Sequence, residues 1–184
     1  MLIFPVPSWK ALTFPGKPSK GQSAQAYLVK AKLDGADLTH ANLSYAVLNR
    51  GSLIGVTAYR TSFAHASLTF ANLYTADLRE SNFDYASGAM ANFYSANLAR
   101  SWFFRSNFMS ANFTSANLYD ARFRRANLSE ALLRSANLTS ATVVGSNLTK
   151  AELTSANLDD ANLAGTDMED AKFTADSIRE AYKK

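Results

Sequence analysis

Residues 111–140 read ANFTS ANLYD ARFRR ANLSE ALLRS ANLTS, a five-residue unit repeated without a gap. The same phase holds from residue 26 to residue 178 and gives 31 successive pentads. We denote the central apolar position i, which is Leu in 18 pentads and Phe in eight. Position i−2 is Ala in 22 pentads, and position i−1 is Asn in 13 and Asp in three. Such regularity is typical of a repeat architecture rather than a conventional globular domain.

A period of five fits neither common secondary structure. On an α-helix, a step of five residues rotates about 140°, so the Leu and Phe side chains would wind around the helix. On a flat strand, an odd step would place successive apolar side chains on opposite faces. A chain that bends once per pentad can instead turn every position i inward, with the small residue at i−2 beside it. The other three positions of each pentad are then predicted to face outward.

The outward position i+2 indicates how many pentads make one coil. Every fourth pentad carries a small residue there: Gly35, Gly55, Thr75, Ser95, Ser115, Ser135, Ser155 and Ala175. Four inward positions share the same spacing of 20 residues: Phe63, Phe83, Phe103 and Phe123. The sequence therefore predicts an all-β, four-sided coil of 20 residues, in which equivalent residues stack at the spacing of adjacent β-strands, roughly 4.8 Å.

Two details of the repeat lead to further expectations. Gly88 and Ala58 add little to the interior, so a void or a bend is predicted around residues 85–92. At position i−1, asparagines recur every 20 residues: Asn97, Asn117, Asn137 and Asn157. Their spacing permits amide ladders along the coil axis or side-chain hydrogen bonds that fix the turns.

The pentads resemble the pentapeptide-repeat family, whose motif is written A(D/N)LXX, over residues 26–178. The resemblance implies a right-handed quadrilateral β-helix, and 31 pentads would form about 7–8 coils. It also implies the absence of a general catalytic site. The best-understood members of the family are quinolone-resistance proteins, which bind DNA gyrase as dimers whose shape and charge imitate DNA.

Both ends of the chain depart from the repeat. Residues 1–25 contain all four prolines and are predicted to cover the first coil, with a targeting segment as the alternative. The β-helix is expected over 26–175. Residues 176–184 predict a short capping helix with Thr174 or Asp176 as its N-cap. A solenoid needs such covers because its open edges would otherwise pair with other chains.

Composition and motifs exclude several classes of function. The chain has no cysteine and only two histidines, His40 and His65, which excludes disulfides, thiol catalysis and cysteine- or histidine-rich metal sites. Both histidines are predicted to be solvent-exposed, at different corners of successive coils. No apolar run is long enough to span a bilayer, and no phosphate-binding glycine loop, HExxH or GxSxG motif occurs. We therefore expect no catalysis, no cofactor, no metal and no membrane insertion.

Large apolar side chains at outward positions mark a candidate protein-binding surface. Ile54, Tyr74 and Tyr94 form one predicted column beside the small residues at i+2, and Phe70 and Met90 lie one corner away. The function we predict is therefore a non-enzymatic scaffold that contacts another protein through these five residues, with a homodimer as one form of that contact. The alternative explanation of the column is ordinary stacking that stabilises the sheet.

Charge bears on two further hypotheses. The net charge is +4 and the pI is about 9.3, whereas a gyrase-binding DNA mimic needs an acidic surface. One predicted column alternates in sign along the axis: Arg60, Glu80, Arg100 and Asp120. A basic patch makes nucleic-acid contact the second alternative; it comprises Arg100, Arg105, Arg124 and Arg125. Because the family is abundant in cyanobacteria, the periplasm and the thylakoid lumen are alternatives to the preferred cytoplasmic location.

Overall fold

The computed structural model describes residues 26–174 and Ser177. From the pentad of Leu28 to that of Met168, every pentad has one extended residue at i−1 and a turn at i+1 and i+2. The residue at i−1 forms a parallel β-bridge with the residue 20 positions later, from Tyr27–Val47 to Glu152–Lys172. No strand in this part of the chain is longer than one bridged residue, because a corner follows every bridge. The predicted coil of four pentads is confirmed.

Backbone hydrogen bonds join each coil to its neighbours. The N–H groups of positions i−1, i and i+2 donate hydrogen bonds to carbonyl oxygens of adjacent coils. The N–H of the first residue of the next pentad donates to the carbonyl oxygen of position i and so closes the turn. In the pentad of Leu98, the nitrogen of Leu98 lies 2.8 Å from the oxygen of Asn117, and the turn bond from Ser101 to Leu98 is 3.1 Å. In this pattern only the N–H of i+1 lacks a backbone acceptor.

Every corner within 26–174 bends through a positive φ at position i+2. The angle lies between +51° and +65° throughout, the sign that a type II turn needs at its third residue. Glycine tolerates this conformation, but only four of these residues are Gly and 25 carry a side chain. A residue with a Cβ loses roughly 1–2 kcal/mol in the left-handed region. Bonds between coils and the buried core therefore offset a strain that recurs at each corner.

Positions i and i−2 form the interior, as predicted, from Ala36 to Leu163, whereas Phe173 at the last described position i is 42% exposed. Leu98 and Leu118 are fully buried, and Leu138 is 2% exposed. Phenylalanine rings spaced by 20 residues stack almost parallel, with centroids 4.4–4.9 Å apart: Phe63, Phe83, Phe103 and Phe123. Where Ser or Thr replaces Ala at i−2, its hydroxyl donates to a nearby carbonyl, as Ser81 does to Ala58 at 2.6 Å. The rare polar residues of the interior therefore have acceptors.

Gly88 leaves no void, and the prediction of one is wrong. A Cβ built on Gly88 would lie 2.1 Å from Cε1 of Phe108 and 2.5 Å from its Cδ1. Phe108 is fully buried, and its ring packs edge-on against Phe83 and Phe93 with centroids 6.0 and 5.6 Å away. Because the interior columns are continuous along the axis, the large residue of one coil occupies the space that the glycine of the adjacent coil leaves.

The two predicted end segments fall largely outside the described residues. This holds for residues 1–25 and for 176–184 except Ser177. Ser177 is buried and its nitrogen lies 3.0 Å from the carbonyl oxygen of Thr174. Their hydroxyl oxygens are 2.6 Å apart. Both caps, the domain boundaries and the number of coils therefore stay predictions.

Candidate functional site

Asparagine and aspartate at i−1 supply the acceptor that the backbone lacks. In all 16 such pentads, Oδ1 accepts a hydrogen bond from the N–H of i+1, as Asn117 does from Tyr119 at 3.2 Å. Where Trp102 occupies i−1, a carboxylate of the previous coil substitutes, and the N–H of Phe104 donates to Asp84 at 2.7 Å. The outward side chains therefore hold the corners in shape.

Asparagine side chains also bond to one another along the axis. In one ladder, Asn112 donates to Asn92 at 3.2 Å and Asn92 donates to Asn72 at 3.0 Å. In the predicted column the donor–acceptor distances are 3.1 and 3.3 Å, and the ladder joins Asn97, Asn117 and Asn137. It does not extend to the fourth predicted member, Asn157, whose Oδ1 accepts the turn bond from the N–H of Asp159 at 2.8 Å. Ladders and turn-fixing bonds are thus both confirmed, and the same Oδ1 atoms take part in both.

The five residues of the predicted partner surface lie on one side of the coils and its two corners. All five are exposed to between 37% and 50%: Ile54, Phe70, Tyr74, Met90 and Tyr94. The rings of Tyr74 and Tyr94 stack with centroids 5.7 Å apart, and Phe70 lies under the guanidinium of Arg50 at 5.5 Å. The ladder of Asn72, Asn92 and Asn112 runs between the two corners. We call this surface the aromatic side.

The predicted basic patch divides between two corners. Arg105, Arg124 and Arg125 share one corner, and the guanidinium of Arg105 lies 5.3 Å from the ring of Phe104. Arg100 lies at another corner, 3.9 Å from a carboxylate oxygen of Asp120. Among the described residues, no carboxylate pairs with the arginines at 105, 122, 124 and 125. Unneutralised basic charge therefore collects around one corner.

The predicted column of alternating charge is present. Nε of Arg60 lies 2.7 Å from Oε2 of Glu80, and the same oxygen accepts a bond from the hydroxyl of Tyr59 at 3.3 Å. The hydrogen bond from Arg60 lowers the pKa of Glu80, and Glu80 raises the pKa of Arg60. These are exposed pairs, so their main effect is to orient the side chains rather than to stabilise the fold.

Asp77 and Arg79 form a second ion pair within one pentad. Nε and an Nη atom of Arg79 lie 2.8 and 2.7 Å from the two carboxylate oxygens of Asp77. The hydrogen bonds from Arg79 hold the pKa of Asp77 below its usual value, and Asp77 raises the pKa of Arg79. A two-point contact of this kind fixes the plane of the guanidinium.

Sequence reasoning missed a stack of three exposed rings at one corner. His65 lies between Tyr45 and Tyr85, with centroids 4.6 and 4.8 Å apart and rings within 3° of parallel. The signal was available, because the three residues are spaced by 20 at position i+2. His40 lies at a different corner, as predicted, with its ring edge-on to Tyr59 at 5.8 Å.

A groove of about 330 Å³ interrupts the corner that carries the ion pairs. Its lining consists of side chains at i+1 and i+2 from four successive coils: Tyr59, Arg79, Glu80, Ala99, Arg100 and Tyr119. Residues 26–174 hold no cluster of three or more acidic or histidine side chains suited to a metal ion. In the same described part of the chain, no helix has the length and apolar character that a membrane crossing requires.

The family model for pentapeptide repeats matches eight copies over residues 24–57, 59–87, 91–130 and 136–174. This chain belongs to the pentapeptide repeat family. Pentapeptide repeat proteins fold as right-handed quadrilateral β-helices and are generally non-catalytic. Two interruptions of the match contain Ala58 and Gly88, where this pentapeptide repeat protein departs from the Leu or Phe of position i.

Solved structures of other proteins resemble this pentapeptide repeat protein. A trypsin-treated variant of QnrB1, a plasmid-mediated fluoroquinolone resistance protein, is 19% identical and shares the fold, with a TM-score of 0.58 over 85% of this chain and 94% of that one. HetL from the cyanobacterium Nostoc sp. strain PCC 7120, involved in heterocyst differentiation regulation, is 28% identical over 90% and 81% of the two chains, with a TM-score of 0.34. A thylakoid-lumen pentapeptide repeat protein of Arabidopsis thaliana is 30% identical over 54% and 66%, with a TM-score of 0.32. The search of curated protein sequences returned no match.

Proposed function

We propose that this protein is a non-enzymatic scaffold that binds another protein through the aromatic side. One observation carries the proposal: five large apolar side chains, each 37–50% exposed, are gathered on one side and its corners. Contiguous apolar surface of this kind is uncommon on monomers and is typical of interaction sites. Because the side chains stand on a hydrogen-bonded frame, little freedom is lost when a partner docks.

The floor of the aromatic side also favours a dry contact. The Oδ1 atom of Asn92 accepts hydrogen bonds from Nδ2 of Asn112 and from the N–H of Tyr94, at 3.2 and 3.1 Å. Its own Nδ2 donates to Asn72 at 3.0 Å. Since these polar groups already bond within the protein, covering them leaves fewer unsatisfied donors and acceptors than covering a solvated polar surface. The partner expected here presents an apolar face, and a second copy of the chain is one form of it.

The scaffold proposal is tested by removing the rings of Tyr74 and Tyr94 together. The double substitution Tyr74→Ser and Tyr94→Ser should abolish self-association in light scattering, or the capture of a defined partner in a pull-down. The matched control is Tyr45→Ser with Tyr85→Ser, which removes two rings of similar exposure from another corner. If the Tyr74→Ser/Tyr94→Ser variant binds as well as the Tyr45→Ser/Tyr85→Ser control, the aromatic side is not the contact surface.

The gyrase-binding alternative receives less support. The net charge of +4 is opposite in sign to the surface of a DNA mimic. The similarity to QnrB1 concerns the fold. Inhibition of gyrase supercoiling by the purified protein would favour this alternative over the scaffold, and the aromatic side should then be tested for gyrase contact.

Nucleic-acid contact is the second candidate, supported by the arginines without a carboxylate partner. Arg105, Arg124 and Arg125 lie along one corner and Arg122 lies on the adjoining side. A labelled oligonucleotide should bind more weakly as salt rises, because each phosphate contact releases counterions. Arg124→Ala with Arg125→Ala should reduce both the affinity and the salt slope, whereas Arg60→Ala, at a paired residue, should not. Equal effects of the two variants would rule out a specific basic site.

A further inference from the structure

One corner of the β-helix has a gap in a column of large side chains. The column consists of the i+1 residues that follow positions 58, 78, 98 and 118, namely Tyr59, Arg79, Ala99 and Tyr119. Three of these side chains are long and planar at their ends, and Ala99 is the exception. The groove of about 330 Å³ lies over Ala99 and between its neighbours. Its volume is within the range of small-molecule sites, though near the lower limit.

The width of the gap follows from the coil spacing. Inside the protein, stacked rings one coil apart have centroids 4.4–4.9 Å apart. Arg79 and Tyr119 are two coils apart, so their planar groups flank a gap of roughly twice the strand spacing, about 10 Å. One planar ring inserted there lies about 4.8 Å from each neighbour, the ordinary separation of adjacent strands. A flat ligand would therefore complete the column.

The chemistry of the walls selects an aromatic ring. The guanidinium of Arg79 donates two hydrogen bonds to the carboxylate of Asp77 and lies over the ring of Tyr59 at 5.7 Å. Arg79 and Ala99 are neighbours one coil apart in the column, so this guanidinium borders the groove over Ala99. A guanidinium attracts the electron-rich face of an aromatic ring, and Tyr119 offers a second ring for stacking.

The charges around the groove favour a negative substituent on that ring. Glu80 is already bonded to Arg60 at 2.7 Å and to the hydroxyl of Tyr59 at 3.3 Å. Arg100 is different, because its nearest carboxylate, Asp120, is 3.9 Å away and beyond hydrogen-bond distance. The donors of Arg100 are thus the least engaged of the charged groups that line the groove. A carboxylate or phosphate next to the ring would give them an acceptor.

We propose that the groove over Ala99 binds a planar aromatic ring that carries a carboxylate or phosphate group. The ring lies between Arg79 and Tyr119, and the anionic group contacts Arg100. This site is separate from the aromatic side, since one side of the coil lies between the corner of Tyr94 and the corner of Ala99. Its failure would therefore leave the scaffold proposal unaffected, and the converse also holds.

Calorimetric titration with naphthoate and with AMP tests the proposal and distinguishes the two anionic groups. Cyclohexanecarboxylate and ribose phosphate serve as matched probes without the aromatic ring. Naphthoate, AMP or both should bind, and the corresponding ring-free probe should bind at least about tenfold more weakly. Absence of binding by both aromatic probes, or equal binding of a probe and its ring-free counterpart, would overturn the proposal.

Filling the gap gives the sharpest variant. Ala99→Tyr should reduce binding at least about tenfold, because the new ring takes the place of the ligand. The fold accepts Tyr at i+1, as at Tyr59 and Tyr119, and Ala89→Tyr is the control at the same pentad position of another corner. Arg100→Gln should weaken the binding of naphthoate several-fold, while the binding of neutral naphthalenemethanol should be unchanged. Unaltered naphthoate binding to folded Ala99→Tyr rejects the site. If that variant does not fold, the NMR shift of the Ala99 methyl group on naphthoate addition decides, and an unmoved signal rejects the site.

Discussion

At the scale of single residues, Gly88 and Phe108 form a pair of complementary sizes. Gly88→Leu should destabilise the protein, because even its Cβ would lie 2.1 Å from Cε1 of Phe108. The expected loss in the free energy of unfolding is about 1–3 kcal/mol, the usual range for overpacking a filled core. Chemical denaturation of the variant and the unsubstituted protein measures it. Adding Phe108→Leu should recover part of the loss, since the shorter side chain withdraws from the contact. An increase in stability with Gly88→Leu alone would mean that Phe108 does not fill the space beside Gly88.

Asp77 should contribute a pH-dependent increment of stability through its bond to Arg79. Its pKa is lowered in the folded protein, so the increment is present above the unfolded pKa of about 3.9 and is lost as pH falls through the folded value. Asp77→Asn keeps an Oδ1 acceptor for the N–H of Arg79, as Asn97 and Asn117 do for their own corners. Near neutral pH the substitution should therefore lower the free energy of unfolding by no more than the contribution of one surface ion pair, up to about 1 kcal/mol.

The pH profile separates the charge of Asp77 from its role as an acceptor. Unfolding should be measured for both proteins from neutral pH to below about pH 3. The difference in the free energy of unfolding between the two proteins should shrink as the pH falls, because protonated Asp77 no longer attracts Arg79. A difference in unfolding free energy that stays constant over this pH range would show that the charge of Asp77 does not contribute to stability.

At the scale of the pentad, an outward asparagine stabilises the corner that follows it. Asn117→Ala removes an acceptor for Tyr119 and for Asn137, at 3.2 and 3.3 Å, and a donor to Asn97 at 3.1 Å. Asn147 serves as the matched control, because its Oδ1 accepts the equivalent turn bond from the N–H of Thr149 at 2.8 Å but its side chain belongs to neither ladder. Thermal and chemical unfolding should show Asn117→Ala to be more destabilising than Asn147→Ala by about 1–2 kcal/mol, because the two ladder bonds of Asn117 are lost as well and each is worth about 1 kcal/mol or less at a partly exposed position. Equal losses would mean that the ladder adds no stability.

The pentad also shows what the sequence can and cannot predict. The inward positions and the 20-residue coil were predictable, because the size of residues such as Leu98 and Phe103 recurs with a fixed period. The left-handed corners were not, because residues such as Arg105 and Thr75 carry no local preference for a positive φ. There, hydrogen bonds from the adjacent coils override the local preference. The predicted void at Gly88 was wrong for a related reason, since a column of side chains is filled by its neighbours in space rather than in sequence.

The candidate surfaces were predictable to different degrees. The columns of Tyr74 and Tyr94, and of Arg60 and Glu80, followed from the spacing of 20 alone. The proposed ligand site over Ala99 did not, because it depends on which of the charged side chains around the groove already form hydrogen bonds with one another. The sequence places Arg79 and Arg100 near the groove, but only the distances to Asp77 and Asp120 show which guanidinium is held and which has unused donors.

At the scale of the whole molecule, stability is expected to be local along the axis. Backbone bonds between coils connect residues about one coil apart, so each coil interacts chiefly with the two next to it. The composition of the interior also changes along the rod. The buried phenylalanines all lie between Phe63 and Phe123, whereas the side chains from Leu128 to Leu163 are aliphatic and surround a narrow apolar space of about 10 Å³. A solenoid built in this way should open in parts rather than all at once.

Hydrogen exchange on a core variant tests this locality. Leu148→Ala should lower the free energy of opening by about 2–5 kcal/mol in its own coil and the adjacent coils, because it enlarges an apolar space that cannot collapse fully. Amides of positions 128 and 168, one coil to either side, should lose protection, while the amide of Leu53, several coils away, should keep it. Leu53→Ala is the reciprocal control, since it should leave the amides near Leu148 protected. If either substitution lowers protection equally along 26–174, the coils unfold as one cooperative unit and the nearest-neighbour description is wrong.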